Sequence, residues 1–379
     1  MLDRACHKFV DWMKQDALPF WAKAAIDPDG GVFEFLNMDG TPINDIKRRV
    51  RVQARYTYTF AHASHLGWYD GRAESDHAWK YLLGPGSAGS ENFSGAGYKG
   101  CAHLLNPDGS LHDNLRDTYA QAFVILAGAW RYMAFKDQHA LSIANQTLEF
   151  LDQNLKADNG GWLEGVPASL PRRQNPHMHM FEALMSLYDA TKDPTALERA
   201  GEIFNLFKTV FFDPERGLLL EYFDADWTPL DGGGPVEPGH MMEWVWLLRE
   251  YEKRSGVDVD SYANVLYASA KRTGFSKQTG LLYDGVGLDG SIGSASFRIW
   301  PQLELIKAAI AQAKAGQDVQ DDISNTINVL FDTYFNVDIK GGWADQFDEN
   351  AQMISTNMPT STAYHMLCAV AEVDAYLAA

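Results

Sequence analysis

Cysteine is scarce in these 379 residues. Cys6, Cys101 and Cys368 form an odd set without the paired spacing of a metal site or a disulfide framework, which suits a reducing compartment. No apolar run approaches the roughly 18 residues that cross a bilayer. The start, Met1-Leu2-Asp3-Arg4, runs into a charged amphipathic helix with no apolar signal core. Basic residues are few, 32 Lys and Arg against 50 Asp and Glu, for a net charge of −18. No basic stripe is present, which argues against a nucleic-acid partner. Pro/Ser-rich linkers, charge blocks and low-complexity runs are also missing. The chain lacks a phosphate-cradling P-loop, a Gly-x-Gly-x-x-Gly turn after a strand, and a Gly-x-Ser-x-Gly elbow. These absences predict a cytoplasmic protein built as one domain over residues 1–379, with no membrane and no nucleic-acid partner.

A repeat is what the chain does have. A Gly-plus-aromatic-or-leucine signature recurs at Gly30-Gly31-Val32-Phe33, Gly97-Tyr98-Lys99-Gly100, Gly160-Gly161-Trp162-Leu163, Gly217-Leu218-Leu219-Leu220, Gly280-Leu281-Leu282-Tyr283 and Gly341-Gly342-Trp343-Ala344. Five copies are soon followed by an Asp-rich turn, as at Asp39-Gly40 and Asp289-Gly290. Such a run reads as a short β-hairpin. The intervals between copies hold two helices each. A fixed period means that each unit buries its apolar face on its neighbours, so the expected architecture is all-α: six helical hairpins closed into an (α/α)6 barrel, with short β-hairpins in the loops. An open solenoid is the alternative, but it requires polar caps, and the terminal helices here are amphipathic. The Gly/Ser-rich stretch from Gly84 to Gly100 reads as a long loop at the barrel mouth.

Ionisable residues interrupt apolar helices at four places. In Pro238-Gly-His240-Met-Met-Glu243-Trp244, His240 and Glu243 share a helix face. A histidine so near a helix N-terminus is expected to be held neutral by the dipole. Asn175-Pro-His-Met-His179-Met-Phe-Glu182 repeats that grammar, a proline turn followed by His-x-x-Glu. In Pro359-Thr-Ser-Thr-Ala-Tyr-His365, a histidine again lies at the start of an apolar helix. Arg51-Val-Gln-Ala-Arg55 carries two arginines four apart, with Arg55 directed inward. Tyr119 and Trp300 are further inward candidates. Histidines at helix starts in three repeats converge on one mouth of a toroid. The His-x-x-Glu pairs raise metal binding, but the sequence does not place the additional inward carboxylates such a site requires. The expectation is no metal and no cofactor.

These segments, together with Arg298-Ile-Trp300-Pro-Gln-Leu-Glu304, resemble the N-acylglucosamine 2-epimerase family over nearly the whole chain. The branch it resembles most is that of the D-mannose isomerases. The resemblance implies an (α/α)6 barrel and chemistry at C1 and C2 of a monosaccharide. His240 and His365 would be the proton carriers; Arg55, Asn175, His179 and Glu243 would line the site. An imidazole removes the acidic C2 hydrogen of a ring-opened aldose, and a guanidinium stabilises the enediolate. Glu243 is expected to hold the tautomer of His240 or to bind a sugar hydroxyl. The resulting expectation is an aldose–ketose isomerase for D-mannose and D-fructose, monomeric or homodimeric. A sugar 2-epimerase is the alternative, and a glycoside hydrolase using Asp117 with Glu243 is a more distant one.

Overall fold

The computed structural model describes residues 2–87 and 99–379. In chain order its helices are α1 (Leu2–Trp12), α2 (Leu18–Ala24), α3 (Val50–His65), α4 (Arg72–Leu83), α5 (Thr118–Phe135), α6 (Gln138–Asn154), α7 (Gln174–Thr191), α8 (Pro194–Leu206), α9 (Pro238–Ser255), α10 (Asp260–Gly274), α11 (Ile299–Lys314), α12 (Gln320–Asp332) and α13 (Thr362–Leu377). A π-helical turn, Met13–Ala17, joins α1 to α2. The odd-numbered helices from α3 to α13 are buried nearly all round and pack side by side in chain order. α13 then packs back against α3, and α1 lies on both α12 and α13. The array is therefore a closed ring of inner helices with amphipathic helices outside, an (α/α)6 barrel. At the seam Trp21 stacks on Trp343 with centroids 4.2 Å apart, and its indole N–H donates to the Gly341 carbonyl.

Strand pairs between repeats tie the inner-helix starts together. The residues entering α3, α5, α7, α11 and α13 pair with the loop strand of another repeat: Arg48–Arg49 with Leu104–Leu105, Arg116–Asp117 with Gly165–Val166, Arg172–Arg173 with Tyr222–Phe223, Ser296–Arg298 with Gln346–Asp348, and Asn357–Pro359 with Phe35–Asn37. Val236, before α9, bridges Val286. The last of these pairs joins the two ends of the chain. The Asp-rich turns form the hairpins expected of them, as where Gly40 N–H donates to Asn37 and Leu36 bridges Pro42.

At Gly31 and Gly161 the glycine signature has a steric cause, a side chain of the neighbouring inner helix. At the fourth position of an inner helix an amide clamps the loop backbone from both sides. Gln53 accepts from Val32 N–H and donates to its carbonyl; Gln121 does so with Cys101, and Gln302 with Leu282. In α7 the clamp is His177, whose Nε2 accepts from Trp162 N–H at 3.0 Å. Gly161 has φ +67°, and a Cβ there would stand 2.5 Å from His177 Nε2. The clamp also corrects the second copy of the repeat. Gln121 grips Cys101, so the equivalent segment is Lys99-Gly100-Cys101-Ala102 rather than one starting at Gly97. Gly97, and residues 88–98 of the mouth loop expected over Gly84 to Gly100, lie outside the described residues.

Candidate active site

Every inner helix begins at the same end of the barrel, and residues of their first two turns line a cavity of about 350 Å³. That is at the small end for ligand sites and suits a single sugar better than a polymer. Arg51 and Arg55 come from α3, Tyr119 from α5, and Asn175 and His179 from α7. His240 and Glu243 come from α9, Trp300 from α11 and His365 from α13. These nine residues, all singled out in the sequence, thus stand around one space, while Glu182 lies outside the cavity wall. Two local expectations need correction. Pro176 is not part of a turn but lies in the first turn of α7, as Pro301 does in α11; the backbone N–H is free of helical bonds there, so proline costs nothing. Asp117 is absent from the cavity wall and turns to His103, 3.2 Å away, so the carboxylate pair of a hydrolase is not assembled.

His240 is not neutral. Burial alone would lower its pKa, but Glu221, 3.0 Å from Nδ1, and then Glu237 lift it to about 10. A carboxylate in contact outweighs the helix dipole, which falls off within a turn and carries only a partial charge. The tautomer role expected of Glu243 belongs to Glu221. Asn175 stands 2.8 Å from His240 Nε2, and its Oδ1 has no other partner. Turning the amide so that this oxygen accepts from Nε2–H satisfies both groups, and amide orientation is assigned by such networks.

His365 is in the opposite state. Burial lowers its pKa to about 4, even though Nδ1 donates to Glu304 at 2.7 Å. Glu304 is itself held ionised by Lys307, 2.8 Å away, and spends its charge largely on that lysine. The two histidines flank Trp300, with ring centroids 5.1 and 5.6 Å from it. Arg55 donates to the Tyr119 hydroxyl at 2.9 Å, and Tyr119 stacks on His179 at 4.9 Å. Burial, then the charge of Arg55, keeps His179 neutral. Beneath it, burial raises the Glu243 carboxyl well above its usual range and that of Glu182 to about 7. The latter accepts a hydrogen bond from the Tyr364 hydroxyl.

Glu221 and Glu304 are the inward carboxylates that the sequence did not place, and they add to Glu182 and Glu243 of the His-x-x-Glu pairs. Two trios, His179–Glu182–Glu243 and Glu243–Glu304–His365, bring ligand-type atoms within 4.8 Å of one another. Lys307, fully buried against Glu304 and within electrostatic reach of Glu243 and Glu182, supplies a cation at this cluster.

A signal for Glu221 does exist. Four residues after the first glycine of a copy stands an acid: Glu34, Glu164, Glu221, Asp284 and Asp345. At three of these positions the acid ion-pairs with the arginine entering an inner helix: Glu34 with Arg49, Glu164 with Arg173, Asp284 with Arg298. Asp345 accepts from Thr362 at the start of α13. In the Lys99-Gly100 copy the polarity reverses, with His103 facing Asp117. Only at Glu221 does the repeated acid hold a histidine of the cavity.

The geometry agrees with comparison to known proteins. The sequence profile of the N-acylglucosamine 2-epimerase (GlcNAc 2-epimerase) family matches residues 31–369. A mannose-6-phosphate isomerase of Rhizobium meliloti (strain 1021) is 32% identical, over 97% of this chain and 96% of that one. A D-mannose isomerase of Marinomonas mediterranea is 27% identical, over 96% of each. A solved D-mannose isomerase structure superposes with a TM-score of 0.85 at 26% identity, covering 97% of both chains. With its profile match, its full-length relatives and its closed ring of paired helices, this chain belongs to the N-acylglucosamine 2-epimerase family.

Proposed function

We propose that the protein is an aldose–ketose isomerase that interconverts D-mannose and D-fructose. The observation that carries this reading is a pair of histidines against Trp300 in one cavity, His240 held by Glu221 and His365 by Glu304, whose surroundings push the first toward the cation and the second toward the neutral form. A cationic imidazole donates to the ring oxygen as the pyranose opens. A neutral one takes the C2 hydrogen of the open aldose; the C1–C2 double bond forms and the carbonyl electrons move to O1. Arg55, beside Tyr119, is the donor for that oxyanion. Return of the proton from His365 to C1, with transfer of the O2 proton to the O1 oxyanion, gives the ketose. The mannose isomerases among the full-length relatives support this choice of sugar. Lys307 fills the cationic role at the buried carboxylates, so the proposed chemistry runs without a metal.

A 2-epimerase draws on the same pair, because a cationic histidine facing a neutral one is also what protonation of C2 from the opposite face requires. Incubation of D-mannose in D2O with analysis of the sugars decides between them. Fructose should form first, carrying one stereospecific deuterium or a transferred hydrogen at C1. Glucose appearing as early as fructose would replace the isomerase with an epimerase, and an unchanged sugar would remove both.

A further inference from the structure

The protein carries a net charge of −18, yet its cavity holds uncompensated positive charge. Four guanidiniums line the wall. Arg49 is paired with Glu34, and Arg298 with Asp284 and Glu237. Arg51 and Arg55 have no carboxylate partner among the described residues. Arg51 packs over the Tyr119 ring at 4.8 Å, and burial, the largest influence on it, weakens its hold on its proton. Asp117 acts on Arg51 only through its charge, without a contact, and stands 3.2 Å from His103. Arg55 is 7% exposed and its Nε has no hydrogen-bond partner. The two other acids on the wall offer less compensation, because burial raises the Glu243 carboxyl well above its usual range and that of Asp345 to about 6.

Taking a guanidinium out of water without a counter-charge is costly unless a ligand supplies one. A fork of N–H donors fits a phosphate better than any neutral hydroxyl. Depth sorts the two arginines. Arg55 is the sixth residue of α3 and buried, in reach of the reacting end; Arg51, the second residue, is partly exposed one turn nearer the mouth. The helix starts gathered at this end add backbone donors and favourable dipoles.

We infer that the hexose handled by this cavity carries a phosphate monoester at the carbon farthest from its carbonyl, and that Arg51 is the residue that reads it. This deepens the isomerase reading and rests on it for the orientation of the sugar. Arg55 then serves the enediolate oxygen, while Arg51 neutralises a dianion held at the rim.

Binding without turnover tests it. Glucitol 6-phosphate and glucitol have no carbonyl, so calorimetric titration of the protein with each reads the subsite alone. The phosphate should bind at least tenfold more tightly, with an advantage that shrinks as NaCl is raised. In Arg51→Gln that advantage should fall to threefold or less, and Arg51→Lys, which keeps a charge but loses the fork, should retain part of it. Kinetically, kcat/KM for mannose 6-phosphate should exceed that for mannose at least tenfold, and the ratio should collapse in Arg51→Gln. Equal affinity of the two alcohols, or a preference untouched in both Arg51 variants, would overturn the inference. So would mannuronate preferred over the phosphate, since a uronate places its anion on a shorter stem. Should mannose yield fructose while glucitol phosphate gains nothing, the phosphate subsite fails and the isomerase stands. Phosphate-selective binding without any sugar conversion would keep the subsite and remove the isomerase.

Discussion

Glu221 decides what His240 can do. Without that carboxylate, burial acts on the imidazole with only Glu237 left as a strong opponent, and the cation is lost at lower pH. For the native protein the pH profile of kcat/KM should fall below about pH 4, where His365 becomes protonated, and above about pH 10, where His240 loses its proton. In Glu221→Gln the alkaline limb should move down toward the ordinary histidine value of about 6.5. Activity lost at pH 8 should then return on acidification to pH 6. An alkaline limb that stays in place in this variant would remove His240 as the acid. A second outcome concerns Lys307: extended dialysis against EDTA should leave turnover unchanged, because the lysine already neutralises Glu304. Activity lost to EDTA and restored by a divalent ion would make ligands of the His179 and Glu243 trios instead.

Elements of the fold were legible in the sequence to different degrees. The helix starts bearing His240, His179 and His365 were readable because a histidine inside an apolar helix is conspicuous. Glu221 and Glu304 were not. Glu221 sits in a loop where acids are ordinary, and its register with Glu34 and Glu164 emerges only once the repeats are superposed. Glu304 lies in an apolar helix beside Lys307, and an i,i+3 pair of opposite charges reads as a solvated face rather than a barrel interior. The glycines read as punctuation, but the clamp that excludes a side chain at Gly31 and Gly161 needs three dimensions. That exclusion is testable by a matched pair. Gly161 and Gly256 share φ near +70°, yet a Cβ at Gly256 meets nothing within 4 Å. Both alanine variants bear the left-handed strain of about 1–2 kcal/mol. Gly161→Ala also pushes His177 off Trp162 N–H, adding about 1–3 kcal/mol for the unsatisfied group. Urea titrations should therefore show the larger loss for Gly161→Ala; equal losses would deny the clamp its role.

For the molecule as a whole, closure is the governing property. Each inner helix packs on two others, and the seam between Phe35–Asn37 and Asn357–Pro359 is built like the remaining strand pairs. The chain should unfold as one cooperative unit over its length, unlike an open repeat array that frays from its ends. Heating followed by far-ultraviolet circular dichroism and by tryptophan fluorescence should give coincident transitions. Two separated steps would instead divide the ring into independent parts. No helix among the described residues is long and apolar enough to cross a membrane.

The seam also orders events in time. A ribosome releases α3, with Arg51 and Arg55, long before α13, with His365. Until that last inner helix emerges, the strand at Phe35–Asn37 has no partner and the base of the cavity has not been made. A nascent chain therefore holds an unfinished ring with its apolar seam exposed, and a chain cut short before α13 lacks His365 and the partner of that strand. Emergence of α13 and closure of the ring coincide.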